Sequence, residues 1–420
     1  MNIIKRIMIG DNVSSEKSNF IWNMLGSGIY SAASMILTFL TIRIMGEHDG
    51  GIFSIALTIS QMLIYFAYFE MRTYQVTDAK NEFSFTQYYS TKIITCLIMM
   101  IASIGYVVLK AYNPYKALVI LLMCVYRMID GFADVFESQF HKDGRLDIAG
   151  KSLAYRTLFS VTIYFVTLIL SHDLVIALIA AIIAAILGLI VCDMAVYREF
   201  GSMKVVFEKE KSLKILKSCF PLFLGVFLWT YILSASRLAV DDCMSSDAQA
   251  YYQVLFLPVS VINLFSGFLF RPMLTRLTEL YKQEKYKDFF KIILKLVLIM
   301  VIFTIICMGG AYLVGIPVLE VIVKLDLAKY RGLFTFLIAA GGVNAIAFIW
   351  YYVLTIFRCP KLITGGYIVA AVMAYIISPV FVKREGLWGA GISYFIVVFT
   401  LNIIFIAAIL YQYAALQRKK

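Results

Sequence analysis

The sequence predicts an all-α, polytopic membrane protein with twelve transmembrane helices, arranged as two six-helix lobes around a central cavity. Three observations lead to this prediction. The 420 residues are 61% hydrophobic and 15% charged, whereas soluble domains carry about 25% charged residues. Apolar stretches of about 20 residues, the length that crosses a bilayer, recur along the whole chain. Lys and Arg collect in alternate connections between these stretches, as in the cytoplasmic loops of helical membrane proteins.

The apolar stretches define the twelve predicted helices in order. Of the 38 Lys and Arg, 25 then lie on one side of the membrane, seven lie on the other, and six lie within the helices. Because cytoplasmic loops are enriched in Lys and Arg, this asymmetry places both termini in the cytoplasm. The predicted helices span residues 19–44, 52–72, 86–109, 115–140, 149–171, 174–199, 214–240, 247–273, 287–312, 329–357, 361–382 and 386–414.

The connection between helices 6 and 7 divides the predicted protein into its two lobes. It is the longest charged inner connection, "REFGSMKVVFEKEKSLKILK" (198–217). A repeat supports the division, because 51–72 and 250–271 have equal length, follow an acidic outer connection and end in arginine. We therefore predict an amphipathic cytoplasmic segment at 1–18, an N-lobe at 19–199, a cytoplasmic linker at 200–213, a C-lobe at 214–414 and a basic cytoplasmic tail at 415–420.

The fourth predicted helix carries four charged residues, which are Arg127, Asp130, Asp134 and Glu137. Their spacing of three, four and three residues places them on one stripe, at about 100° per residue. A charge near the centre of a membrane helix costs about 3 kcal/mol to insert, so it needs a partner or water. Arg156 in helix 5 is close enough in sequence to pair with the stripe. The stripe is therefore either a salt-bridge ladder between helices 4 and 5 or the wall of a hydrated cavity, and it can be both.

The other charges within helices have simpler interpretations. Lys92 and Lys295 lie near inner helix ends, where a long side chain reaches the membrane surface, so no function is expected of them. Arg43 and Arg237 lie near the outer ends of helices 1 and 7, and either snorkelling or a place in the cavity fits them. Tyrosines within helices could stack on sugar rings, although ordinary packing fits most of them. They are Tyr65, Tyr68, Tyr231, Tyr251, Tyr252, Tyr351 and Tyr352.

Several function classes are disfavoured. The formal net charge of +12 reflects the inner loops, and no basic run with interleaved aromatic residues lies outside a helix, so nucleic-acid binding is not expected. The seven cysteines are scattered without CxxC spacing and the three histidines are isolated, so we expect neither a metal site nor a cofactor. Most outer loops are too short to hold catalytic groups and no P-loop motif is present, so an enzyme is not expected.

Several strings of the sequence resemble one family of membrane proteins. They are "WNMLGSGIYSAASMILTFLTIRIMGEHDGGIFSIA" (22–56), "MRTYQVTD", "FSFTQYYSTKI", "RMIDGFADVFESQFHKDGRLDIAGK", "FRPMLTRLTEL" (270–280) and "GIPVLEVIVKLDLAKYR" (315–331). Together they resemble the polysaccharide flippases of the multidrug/oligosaccharidyl-lipid/polysaccharide exporter superfamily, of the capsule and O-antigen repeat-unit type. The resemblance covers nearly the whole chain.

The resemblance implies a monomeric transporter in the bacterial cell membrane that works by alternating access. It would flip polyprenyl-pyrophosphate-linked oligosaccharides to the outer leaflet, coupled to H⁺ or Na⁺. The family's cationic cavity implies a substrate-binding role for Arg43, Arg127, Arg156 and Arg237, with Asp130, Asp134 and Glu137 pairing with them or binding the ion. A drug or small-molecule antiporter of the same superfamily is the alternative, which an acidic cavity would favour. On this basis Arg127→Ala or Arg156→Ala should abolish export in a protein that still folds.

Overall fold

The computed structural model describes residues 7–10, 15–78, 81–270 and 273–417, and almost all of them are helical. We number the helices along the chain. In the first half they are α1 (Glu16–Tyr68), α2 (Met71–Thr77), α3 (Phe85–Lys110), α4 (Pro114–Lys142), α5 (Leu146–Ser171), α6 (Leu174–Gly188) and α7 (Lys209–Cys243). In the second half they are α8 (Ser246–Phe256), α9 (Val259–Phe270), α10 (Leu274–Lys282), α11 (Tyr286–Gly310), α12 (Ile316–Val323), α13 (Arg331–Ile356) and α14 (Pro360–Gln417).

Nine helical segments of the described residues are long and apolar enough to cross a membrane. Two of them contain a sharp break, at Gly46 (φ 83°) and at Gly386 (φ 57°), where positive φ is readily adopted only by glycine. Helix α4 is not among the nine, since its charged stripe lowers its hydropathy. The all-helical, multi-pass architecture is thus confirmed, while the count of twelve crossings stays a prediction.

The helices begin where the sequence supplies capping groups. The Ser15 side chain accepts a hydrogen bond from the backbone N–H of Ser18 at the start of α1. Asn113 does the same for Lys116 at the start of α4, and Pro114 follows it at the first helical position. These side chains satisfy backbone donors that a helix start leaves without partners. Helix α1 therefore begins at Glu16, three residues before the predicted start.

The described residues form two compact units, which are divided between Phe227 and Leu228. The chain passes from one unit to the other within α7. Residues 201–208 have no regular structure, and α7 begins at Lys209, so part of the predicted linker at 200–213 is helical. The predicted division into lobes at this linker stays a prediction, as does the repeat that ends at Arg271, a residue outside the described ones.

Within the first unit, α1 packs closely against α4 and α5. A Cβ atom on Gly150 of α5 would lie 2.2 Å from the backbone oxygen of Trp22 in α1. A Cβ on Gly131 of α4 would lie 2.5 Å from the Cβ of Ala67, further along α1. Small residues at such crossings let membrane helices approach backbone to backbone. The two glycines hold α4 and α5 against α1 and so bring their charged residues together.

Candidate substrate and ion site

The charged stripe of α4 is buried within the first unit. The exposed fractions of its four side chains lie between 4% and 8%. They contact side chains of α1, α2, α3 and α5. The stripe consists of Arg127, Asp130, Asp134 and Glu137, as the sequence predicted.

Arg156 is the centre of the network and is only 1% exposed. Its Nη1 lies 2.7 Å from Oδ2 of Asp193, and its Nη2 lies 2.9 Å from Oε1 of Glu137. Its Nε lies 3.5 Å from Oδ1 of Asp130. Asp193 also accepts a hydrogen bond from the Ser152 hydroxyl at 2.5 Å. The predicted pairing of Arg156 with the stripe is therefore present, and it links α4, α5 and the π-helical turn that follows α6.

Asp134 lies between two cations from other helices. Lys92 Nζ of α3 is 3.0 Å from its Oδ2, and Arg72 Nη1 of α2 is 3.4 Å from its Oδ1. Arg72 also contacts Glu137 at 3.2 Å. The expectation that Lys92 snorkels to the membrane surface is wrong, because this side chain is fully buried and also donates to the backbone oxygen of Ala67. An inward carboxylate gives the ammonium a closer partner than the membrane surface does.

Arg127 faces α1. Its Nη1 donates to the Tyr30 hydroxyl at 3.1 Å, and its Nη2 donates to the Ser34 hydroxyl at 2.9 Å. The same Nη1 lies 3.4 Å from Oδ2 of Asp130. Asp130 therefore lies between Arg127 and Arg156, so that the stripe and its partners form one continuous network.

A cavity of about 310 Å³ borders this network. Two arginines and four carboxylates are part of its wall, together with three tyrosines from α1. The wall of this cavity, which lies within the first unit, is therefore not cationic. Its residues are Tyr30, Tyr65, Tyr68, Glu70, Arg72, Thr73, Asp130, Asp134, Glu137, Leu153 and Arg156. The stripe thus takes part in a salt-bridge ladder and also borders this cavity within the first unit, while its place in a hydrated central cavity stays a prediction.

Glu70 differs from the other carboxylates of the wall. It lies at the break between α1 and α2, where Phe69 (φ 46°) and Glu70 (φ 53°) are both left-handed. Left-handed backbone is unusual for two successive residues other than glycine. The carboxylate accepts a hydrogen bond from the Thr73 hydroxyl at 3.3 Å. Among the described residues, no Lys or Arg nitrogen lies within ion-pair distance of it.

Four charged members of the site were not predicted, namely Glu70, Arg72, Lys92 and Asp193. Asp193 could have been found, because it is an isolated carboxylate in the apolar string "LGLIVCDMAV" and such a group needs a partner. Arg72 and Glu70 lie at a helix end, where charge is common, so the sequence gave no signal for them. With these residues included, the network and cavity wall contain four cations and five carboxylates.

The two remaining predicted arginines lie outside this cavity. Arg43 is exposed on α1, three residues before the break at Gly46. Arg237 belongs to the second unit and is 8% exposed. Its Nη2 donates to the Leu233 oxygen at 3.4 Å and the Ser234 hydroxyl at 3.3 Å, and its guanidinium lies 4.8 Å from the centre of the Phe256 ring. Its Nε has no acceptor among the described residues.

Comparison with known proteins places the chain in a family. Residues 17–278 match the family described as "Polysaccharide biosynthesis protein". The chain belongs to this family. One relative is the "Capsular polysaccharide biosynthesis protein CapF" of Staphylococcus aureus, which is 20% identical over 283 residues that cover 67% of this chain and 70% of CapF.

Solved structures show the same fold. The "Lipid II flippase MurJ, inward closed conformation" has a TM-score of 0.67 and 13% identity, covering 94% of this chain and 87% of MurJ. The "Inward-facing conformation of a multidrug resistance MATE family transporter of the MOP superfamily" has a TM-score of 0.56 and 12% identity, covering 99% and 98% of the two chains. This chain thus has the fold of the lipid II flippase MurJ and of a multidrug resistance transporter.

Proposed function

We propose that the protein flips polyprenyl-pyrophosphate-linked oligosaccharide repeat units from the inner to the outer leaflet, by alternating access, for capsule or another surface polysaccharide. The observation that carries the proposal is the match of residues 17–278 to the polysaccharide biosynthesis family. The capsular role in the name of CapF and the shared fold with a lipid II flippase support the substrate class.

The proposal includes a place in the cell. The relative CapF is bacterial, and Lys and Arg concentrate in alternate connections. We therefore propose a bacterial cell membrane protein with both termini in the cytoplasm. We further propose that it works as a monomer, since one chain of this fold supplies the cavity in its first unit.

The charges of the cavity wall in the first unit suit the glycan part of the proposed substrate. The cavity of the first unit has four carboxylates against two arginines in its wall, so a pyrophosphate would be repelled there. Carboxylates, arginines and tyrosines instead suit the hydroxyls and ring faces of a sugar. We assign the glycan to this cavity, with Tyr65 and Tyr68 as stacking surfaces.

The phosphate groups need a cation that is not already neutralised. Arg127 and Arg156 are each in contact with carboxylates. Arg237 has no carboxylate within ion-pair distance among the described residues, and its Nε remains available as a donor. A buried arginine without a counter-ion favours an anionic ligand. We therefore assign phosphate binding to Arg237, and assign Arg127 and Arg156 to holding the cavity wall.

Glu70 is the carboxylate best suited to bind the coupling cation. Asp130, Asp134 and Glu137 each form an ion pair with at least one Lys or Arg, so these three carboxylates are already neutralised. Glu70 adds one negative charge that no Lys or Arg within the described residues neutralises at close range. Its position at the break between α1 and α2 would let H⁺ or Na⁺ binding alter the angle between the two helices.

One observation favours the alternative, an ion-coupled antiporter of drugs or other small cations. The cavity wall is acidic and includes three tyrosines, and aromatic rings beside carboxylates also suit organic cations. The family match outweighs this argument, since residues 17–278 include most of the first unit and most of the chain.

A reconstitution assay separates the two functions. Purified protein in liposomes should move a fluorescent polyprenyl-pyrophosphate oligosaccharide between leaflets, measured by quenching with a membrane-impermeant reagent, and should not move ethidium. Arg237→Gln should reduce the flipping rate at least tenfold, while Arg276→Gln, an exposed arginine of α10, should leave it unchanged. Ethidium transport without oligosaccharide flipping would reject the proposal.

The same liposomes test the ion site. An imposed H⁺ or Na⁺ gradient should change the wild-type rate, whereas Glu70→Gln should make flipping insensitive to either gradient. Glu279→Gln, at an exposed glutamate of α10, is the matched control and should keep the wild-type response. A Glu70→Gln protein that responds normally to both gradients would remove Glu70 from the coupling mechanism.

A further inference from the structure

We propose that residues 204–218, here called the linker surface, bind the headgroups of anionic phospholipids at the edge of the bilayer. The linker surface comprises the end of the irregular segment 201–208 and the first turns of α7. The proposed lipid binding is separate from substrate flipping, because it concerns the lipid that surrounds the protein.

Apolar side chains of the linker surface point outward. Val205 is 50% exposed, Val206 is 44% exposed and Phe207 is 60% exposed. Polar contacts to α3 hold the segment in this orientation: the backbone N–H of Val206 donates to the Ser90 hydroxyl at 3.0 Å, and the Gln87 amide donates to the Glu208 carboxylate at 2.9 Å. The inward groups of the segment are thus satisfied by protein, while its hydrophobic side chains need another apolar partner.

Lysines accompany these apolar side chains. Lys211 pairs with Glu208, and Lys214 pairs with Glu82. Three other lysines, Lys204, Lys209 and Lys217, are exposed and have no carboxylate partner among the described residues. The linker surface therefore carries positive charge in excess of what its own carboxylates neutralise.

Two of the lysines border a shallow cavity of about 410 Å³ on α7. Its residues recur at intervals of three and four, so they share one helical face. They are Glu210, Leu213, Lys214, Lys217 and Ser218. The ammonium of Lys217, which is unpaired among the described residues, and the Ser218 hydroxyl suit a phosphodiester, and Leu213, which is 46% exposed, suits the apolar part of a lipid.

The continuation of α7 indicates that this partner is the bilayer. Directly after the last lysine, Phe220 is 49% exposed and Leu222 is 46% exposed. One helix thus passes from exposed lysines to exposed apolar residues within two turns. This order is the one expected where a helix enters the hydrocarbon from the headgroup layer. A nucleic acid would match the lysines but not the apolar side chains.

Native mass spectrometry of the full-length protein in detergent tests the proposal, with phosphatidylglycerol and phosphatidylcholine as probes. A lysine near an anionic membrane strengthens binding about fivefold. The variant Lys204→Gln/Lys209→Gln/Lys217→Gln should therefore bind phosphatidylglycerol on the order of a hundredfold more weakly. The control Lys282→Gln/Lys285→Gln/Lys287→Gln removes the same charge from exposed positions around the start of α11 and should change binding less than twofold.

Three results of the lipid-binding measurement would overturn the proposal. They are unchanged phosphatidylglycerol binding by the linker variant, an equal loss in both triple variants, and equal binding of phosphatidylcholine and phosphatidylglycerol by the wild type. Preferential binding of a short RNA over phosphatidylglycerol would also reject it in favour of a nucleic-acid surface. None of these measurements involves oligosaccharide transport, so failure here and failure of the proposed flippase function are distinguishable.

Discussion

Replacing Arg156 by alanine tests the central position of this residue in the charge network. The guanidinium lies 2.7 Å from Asp193, 2.9 Å from Glu137 and 3.5 Å from Asp130. At about 3 Å and an effective dielectric constant of about 20, one such pair has a gross attraction of about 5 kcal/mol. Most of this is offset by the cost of burying the charges. Removing one partner from a buried ion pair nevertheless costs about 3–5 kcal/mol, since the other charge is left behind.

Arg156→Ala should therefore lower the free energy of unfolding by about 3–5 kcal/mol. The buried carboxylate of Asp193 would account for most of this loss, because its remaining contact among the described residues is the Ser152 hydroxyl. This expectation differs from the one drawn from the sequence, in which Arg156→Ala abolishes export in a stably folded protein. The measurement is unfolding of the detergent-solubilised protein by sodium dodecyl sulfate, followed by tryptophan fluorescence.

A second variant separates loss of charge balance from loss of side-chain volume. Arg156→Ala/Asp193→Asn has the same missing arginine but one fewer unpaired carboxylate, so it should recover at least 1 kcal/mol, the lower part of the range for an unsatisfied buried group. Stability of Arg156→Ala within 1 kcal/mol of the wild type, or no recovery in the double variant, would refute the buried network as described.

Three further substitutions test other features of the fold. Gly150→Ala should destabilise the protein by about 1–3 kcal/mol, because the added Cβ overlaps the α1 backbone. The control is Gly28→Ala, whose added Cβ has no atom within 4 Å, and it should be neutral or slightly stabilising in the same unfolding assay. Lys92→Met should cost about 3–5 kcal/mol, since it leaves Asp134 with only the partly exposed Arg72, and a loss below 1 kcal/mol would contradict the pairing. Asp78→Asn should cost about 1 kcal/mol at neutral pH. Burial alone would raise the pKa of Asp78. The backbone N–H groups of Glu82 and Phe83 donate hydrogen bonds to its carboxylate at 2.9 Å and 3.1 Å, and these bonds lower the pKa below its ordinary value of 3.8. The ionised form of Asp78 therefore stabilises the fold above pH 3.8, and this contribution is lost as the pH falls through the lowered pKa. The wild type and Asp78→Asn should therefore have the same stability at acidic pH. A stability difference that persists there would contradict this origin.

The sequence predicted the parts of the site that depend on local spacing. The stripe on α4 follows from helical periodicity, and its pairing with Arg156 follows from the short turn between α4 and α5. The pairing of Lys92 with Asp134 does not follow, since 42 residues separate them and the contact depends on how α3 packs against α4. A lysine near a helix end has the same pattern whether it reaches outward to the surface or inward to a carboxylate.

The position of Glu70 in the cavity wall was not predicted for a different reason. The predicted second helix continues to residue 72, whereas α1 ends at Tyr68 and two left-handed residues follow. Neither Phe69 nor Glu70 is a residue type that favours this conformation, so tertiary packing rather than local preference determines the break. The breaks at Gly46 and Gly386, by contrast, coincide with predicted helix boundaries, because glycine supports them locally.

The most direct test of the account measures oligosaccharide flipping by the purified wild-type protein in sealed liposomes. The account predicts that a polyprenyl-pyrophosphate oligosaccharide initially confined to one leaflet becomes accessible to an impermeant reagent on the other side far faster than in protein-free liposomes. Equal rates with and without the protein, in a preparation whose unfolding assay shows it to be folded, would contradict the account.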